Sequence, residues 1–375
     1  MSTVPVKWFM STMQGAPRLS GTAGDMIGLL DACLINGFNV TAPNSLAVLG
    51  GIASLYYSGG GHGYVLHQVI AVSGATPEAL NGEWRVTEVD ANYVRFAAPG
   101  EPDGTASGTI GVRAAPLGWD KVFSGTNKAV YRSTDVAGTR LYLRVDDTAA
   151  QYTYARGYEE MTDVDTGTGL FPTAAQSSWG VTWPKSNQAS TSARNWLVIG
   201  DTRIVYAFVA WSSNYSDNYD GNVFGDIQSF KDADTYSSII FGTNSQTPVF
   251  PGQYFSQLNK TDGKYISRAL SQTGAAILVA SVGSGVTTFL GLTAATYPAP
   301  ADNGLHLHEP VLILDGTSAT SPVRGQYPGL LQCVQNIPLS HADIVQIGGD
   351  YVILVAAAYS AIQGRCAFYL TRPWR

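Results

Sequence analysis

The chain has 375 residues, 22 basic against 28 acidic, a net charge of −6 and only 13% charged residues. A chain this long predicts two or three packed modules rather than one compact unit. Its mild acidity and lack of a long basic run exclude sequence-independent nucleic-acid binding, which needs Lys and Arg to neutralise phosphates. The charged share is about half the usual one, so hydroxyls and amides must cover much of the surface. Proteins that bury their exterior against partner subunits have this profile, because Lys and Glu are depleted at interface cores. An ordinary all-β protein with a polar surface has it too.

Met1 to Met10 lacks a basic region followed by an apolar run, so no secretory signal is expected there. The first expected element is a helix. Ser20 or Thr22 can cap it, Asp25 suits the positive end of its dipole, and Met26, Ile27, Leu30, Cys33 and Leu34 fall on one face. Gly37 suits a left-handed stop. Gly24, Gly28 and Asp31 on the opposite face would let a second backbone approach, predicting a helix packed on both sides.

Strands and turns follow. Ser45–Leu55, Tyr64–Val72, Gly82–Val89, Tyr93–Ala97 and Ala106–Val112 are short runs rich in β-branched and aromatic residues, separated by Gly59-Gly60-Gly61, Asn81-Gly82 and Pro99 to Gly104. They predict a small β-barrel or sandwich. Later strands are expected at Lys128–Arg132, Arg140–Val145, Trp196–Ile199, Thr202–Trp211, Ser237–Phe241, Ala275–Val282, Thr287–Leu292, Val311–Leu314, Tyr351–Ala358 and Cys366–Leu370. Between Ala275 and Ala295 the apolar run is broken by Gly283, Ser284 and Gly285, which reads as two strands and a turn rather than a membrane span. The expected class is mainly β: sandwich or barrel modules with one N-terminal amphipathic helix. The expected organisation is a helical segment over 1–40 packed on the main body, an inserted small β module over 41–115, and a main β-rich domain over 116–375. The three cysteines, Cys33, Cys333 and Cys366, lack metal-binding spacing and read as buried thiols of a protein matured in a reducing cytosol.

Few residues offer chemistry. Asp165-Thr166-Gly167 matches the aspartic-protease signature, but its flanks are polar and no second copy exists to share a proton, so a turn is the better reading. Asp163-x-Asp165-x-Gly167 is also the start of a calcium-loop pattern, yet Ala174 stands where a bidentate Glu is needed. The neighbours Asp146-Asp147 and Glu159-Glu160 would point to opposite faces of an extended chain. His306 and His308 would share a strand face and could grip a metal, though no third ligand is nearby. His62 and His67 flank a Gly-rich loop and are expected to bond backbone there. No nucleophile elbow, phosphate loop or dinucleotide fingerprint is present. Neither catalysis, a cofactor nor a metal is expected. The one suggestive surface stretch is Trp211 to Phe224, in which Trp211, Tyr215, Tyr219 and Phe224 lie among Asn, Ser and Asp. It reads as a glycan or protein contact, or as a loop packed on a neighbouring subunit.

The stretch Val69 to Phe96, with Ala71-Val72-Ser73-Gly74-Ala75, Asn81-Gly82-Glu83-Trp84-Arg85-Val86-Thr87-Glu88-Val89 and the return Thr105 to Ile110, resembles a small β module that recurs in tail and other virion proteins of tailed bacteriophages. The opening Met13 to Phe38 and the ending Pro373-Trp374-Arg375 also look like parts of phage virion structural proteins. The resemblance implies a particle component and carries over no catalytic residue. The expected function is therefore a structural subunit of a virion, at the tail or at the tail tip and baseplate. Its partners would be copies of itself and other virion proteins. Alternatives are a tail protein that binds a host receptor or surface glycan, and a capsid decoration protein. No nucleic-acid contact and no membrane span are expected, and the place of action would be the virion, assembled in the host cytoplasm.

Overall fold

The structure, a computed structural model, describes residues 5–210, 212, 219–243, 263–282, 295–318, 320–335, 337–338, 340–356 and 365–375. The mainly β class holds: strands fill several antiparallel sheets, and the one α-helix among the described residues lies near the N-terminus. The strand expected at Thr287–Leu292 and the last two residues of the one expected at Tyr351–Ala358 lie outside the described residues, whereas the one expected at Cys366–Leu370 is found as Arg365–Tyr369.

Residues 41–115 build a module with a core of its own. Its strands form a seven-stranded sheet, and inward residues such as Leu46, Val48, Leu55, Val72, Val86, Val94 and Phe96 make a cluster separate from the main one. The single strand expected over Ser45–Leu55 is a hairpin instead. Gly50 and Gly51 take φ of 58° and 75°, which suits the tight two-residue turn joining Ser45–Leu49 to Ile52–Tyr56. The sheet then closes on itself. Thr41, just ahead of the first strand, exchanges both backbone hydrogen bonds with Val112 (2.8 and 2.9 Å), while Val112 also pairs with Val72 on its other side. Closure removes an edge that would otherwise be open.

The main body is layered. A seven-stranded sheet runs in the order Lys7–Met10, Trp196–Gly200, Ile204–Val209, Asp220–Asp226, Ser238–Phe241, Lys264–Ile266, Ile277–Leu278. Its central strands are buried at every position, which is why they read as continuous apolar runs instead of alternating ones. One face meets the sheet made by Trp119–Gly125, Lys128–Ser133, Tyr142–Asp146, Tyr152–Tyr158 and Val181–Pro184, with Phe224 set against Trp119 and Phe171 (6.0 and 6.1 Å between ring centres). The other face meets the C-terminal sheet, where Tyr206 lies 4.8 Å from Phe368 and 5.8 Å from Trp374. That sheet contains Leu330–Cys333, Arg365–Tyr369, Asp350–Ala356 and Ile344–Ile347. Layers sharing buried faces are how such chains cover apolar strands.

The N-terminal helix corrects two expectations. It is α-helical over Asp25–Leu30 and widens to a π-turn over Asp31–Asn36, closed by the Gly37 N–H donating to Ala32 O at 2.9 Å. Its buried stripe is the expected one, with Leu29 added. Neither Ser20 nor Thr22 caps it. Gly24 is the cap residue, at φ 87°, and the carboxylate of the distant Asp147 accepts the Met26 N–H at 2.9 Å. Gly28 is exposed and a methyl there would meet nothing within 4 Å, so that face is open at Gly28, although the Gly24 N–H donates to Asp147 O at 3.1 Å and Asp31 accepts from Tyr131 and Lys121, both at 2.8 Å.

Candidate functional site

The stretch from Trp211 to Phe224 divides. Trp211 and Tyr215 lie outside the described residues. Tyr219 and Phe224 are buried, at 4% and 1% exposure, which corrects their expected place on a surface loop. Tyr219 stacks on the His341 ring with centres 3.6 Å apart, and its N–H donates to Ala356 O at 3.1 Å. Phe224 belongs to the strand Asp220–Asp226, whose alternation sends Asp220, Asn222 and Phe224 to one face. The polar look of Asp220-Gly221-Asn222 hid a central strand. Asn222 Nδ2 donates to Ala207 O at 3.4 Å, while Asp220 Oδ2 is buried without a hydrogen-bond partner. Burial holds the Asp220 carboxyl well above the usual carboxylate range.

Asp165-Thr166-Gly167 is a turn. It joins the strand pair Glu160–Met161 and Gly167–Thr168, and Asp163 Oδ1 accepts the N–H groups of Asp165 and Thr166 at 2.7 and 2.8 Å. Lys128 donates to Asp165 at 2.9 Å and Arg144 also binds it. These two cations hold the Asp165 carboxyl below its ordinary value. Asp146 and Asp147 point apart: Asp146 contacts Arg144 at 3.3 Å, whereas Asp147 is fully buried in an ion pair with Lys185. Glu159 binds Arg268 at 2.6 Å, while Glu160 is exposed. Among the described residues no group of three or more His, Cys, Asp or Glu could hold a metal ion. His306 is exposed and pairs with Asp302 at 3.1 Å. His62 does bond backbone, through Asp90 O at 2.9 Å and the Tyr64 N–H at 3.1 Å. The three cysteines are buried, and burial raises every thiol; that of Cys333 is pushed up to about 12.

A polar cleft of about 410 Å³ lies between Thr139, Arg203, Asp226, Ser229, Lys231 and Arg375. Three of its charged groups, Asp226, Arg203 and Arg375, are engaged in holding the fold. Asp226 accepts the Thr139 N–H at 2.7 Å and the Ser238 hydroxyl at 2.9 Å, Arg203 binds Asp135 at 2.7 Å, and Arg375 binds Asp201 at 3.0 Å.

The most distinctive surface was missed in the sequence: the outer face of the module. The strands Ser45–Leu49, Ile52–Tyr56 and Tyr93–Ala97 lie side by side, and their outward residues form three rows. The first row is Leu49, Ile52 and Ala97, the second Ala47, Ser54 and Arg95, the third Ser45, Tyr56 and Tyr93. Leu49 is 76% and Ile52 41% exposed, directly opposite one another at the hairpin tip. Tyr56 and Tyr93 pack at 4.9 Å, with the Arg95 guanidinium 4.9 Å over the Tyr93 ring. Arg95 is the only charged residue in the three rows, and Glu88 and Asp90 flank and neutralise it. The period-two alternation of Leu46, Val48, Ala53 and Leu55 carried this signal; reading one strand through Gly50-Gly51 concealed the pairing.

Compared with known proteins, the chain matches no family pattern and no curated relative. Among the described residues no helix is long and apolar enough to cross a membrane.

Proposed function

We propose that the chain is a structural subunit of a tailed-phage particle, placed in the tail or at its tip, and that it works by packing against copies of itself and other particle proteins. The observation that carries this reading is the module's outer face. Interface cores are rich in Tyr, Arg and aliphatic residues and poor in Lys, Glu and Asp, and these three rows hold Leu49, Ile52, Tyr56, Tyr93 and a neutralised Arg95 with no Lys, Glu or Asp among them. The sheet closed behind the face keeps it pre-organised, which lowers the entropy lost on docking. The resemblance of Val69 to Phe96 to a phage β module points the same way. The buried positions of Tyr219 and Phe224 leave the receptor-binding alternative resting on Trp211 and Tyr215.

The test is the double substitution Leu49→Asp with Ile52→Asp, which touches no core residue. The variant should fold and melt as the parent does, yet be missing from particles, or yield particles arrested before tail completion. Normal incorporation of a folded variant would remove the basis of the proposal. Normal particles that fail to adsorb to the host would instead favour a receptor-binding face.

A further inference from the structure

We infer that the joint between the barrel module and the C-terminal sheet is a pH-sensitive catch, opened when His67 takes up a proton. His67 belongs to the module, two residues before the strand Val69–Ser73, and is 7% exposed. Its ring lies against Tyr351 of the C-terminal sheet, centre to centre at 4.0 Å. Its backbone is held at φ 63°, outside the region most side chains prefer, and its carbonyl is fastened from two sides. The indole N–H of Trp8 donates to it at 3.3 Å and the Arg85 guanidinium at 2.8 Å, while Arg85 also donates to Val6 O at 2.9 Å. The ring is thus delivered to the joint with little freedom to turn away.

Neutral imidazole suits this place and imidazolium does not. Nε2 is buried with no hydrogen-bond acceptor, so a proton added there would leave a charged donor unsatisfied. The charged groups around it give no relief. Arg85 on the neighbouring strand is a cation whose charge opposes a second one on the ring. Glu83 already binds Lys7 at 2.6 Å. On the C-terminal side Tyr351 is uncharged, and Asp350 accepts from the Thr371 hydroxyl at 3.4 Å. Burial first, and Arg85 second, push His67 below its ordinary value. A lowered folded-state value means the joint is intact above the free imidazole value of about 6.5 and loosens as pH falls through and below it. The cheapest relief for the charged ring is to leave Tyr351 for water, which frees the module on that side while the ties from Arg85 to Val6 O and from Glu83 to Lys7 remain.

The experiment is hydrogen exchange on the full chain at pH about 7.5 and about 4.5, corrected for intrinsic rates, with His67→Asn and His67→Lys beside the parent. Asn tolerates the left-handed backbone and cannot be charged. In the parent, amides around Leu66–Val69 and Asp350–Tyr351 should exchange several-fold faster at the lower pH, with the module core at Val86 and Val94 still protected. The His67→Asn chain should show no such pH dependence, and the His67→Lys chain should be loosened at both pH values. Protection at the joint that does not change with pH in the parent would overturn the inference, as would an equal pH response in His67→Asn. The outcome is independent of whether the chain belongs to a particle.

Discussion

The ion pair between Lys185 and Asp147 gives the sharpest test of what fastens the N-terminal helix to the body. Both side chains have zero exposure. Lys185 also donates to Thr22 O at 2.7 Å, and Asp147 accepts from the Thr153 hydroxyl at 2.6 Å and from the Met26 N–H at 2.9 Å. Replacing Lys185 by Met keeps the volume and strands a buried carboxylate, a change that costs about 3–5 kcal/mol. The two donors left on Asp147 argue for the lower end, and the orphaned Thr22 carbonyl adds about 1 kcal/mol, for a total of about 4 kcal/mol. Replacing Asp147 by Leu strands the ammonium and also removes the helix cap, worth about 1 kcal/mol. The double variant buries neither charge, so it should recover roughly 1–4 kcal/mol of the summed single losses. Urea unfolding followed by tryptophan fluorescence, run as a full double-mutant cycle, measures each term. A Lys185→Met loss below about 1 kcal/mol, or additive single losses, would refute the claim that the pair is dehydrated and coupled.

Three other outcomes are expected. Burial raises the Asp220 carboxyl well above the usual carboxylate range, so its contribution is whole below the unfolded value of about 3.9 and is lost as pH rises, by up to about 1.4 kcal/mol per unit. Asp220→Asn should therefore gain stability relative to the parent as pH rises from acid to neutral, and a difference that stays flat with pH would contradict this. A methyl at Gly157 would fall 2.1–2.4 Å from three carbons of the Phe171 ring, which is fully buried in the main core. Gly157→Ala should then cost about 1–3 kcal/mol or more in thermal unfolding, whereas a neutral result would mean the ring is not packed there. Leu49→Asp with Ile52→Asp should change unfolding by less than about 0.5 kcal/mol while abolishing incorporation into particles; a large loss of stability would show that the hairpin tip is part of the fold.

The parts of the fold visible in the sequence were those with a clear period. The stripe Met26, Ile27, Leu30, Cys33, Leu34 found the helix, and the alternation from Trp84 to Val89 found a strand of the module. Features set by distant partners were not visible. Asp147 caps the helix from more than a hundred residues away, so Ser20 and Thr22 were reasonable local candidates that lost to a tertiary one. Polar residues on a buried strand misled in the same way: Asp220 and Asn222 looked like a surface loop because nothing local tells that their strand is covered on both faces. That misreading placed Tyr219 and Phe224 on the wrong side of the surface. Conversely, Asp165-Thr166-Gly167 was rightly read as a turn, since its flanking polarity is a local property.

Quantitative mass spectrometry of purified particles from a host carrying the gene addresses the central claim most directly. Assembly predicts that the chain co-purifies with infectious particles at a fixed multiple of the other tail proteins and that this ratio survives repeated banding. A chain recovered only as free monomer, absent from banded particles at any ratio, would contradict it.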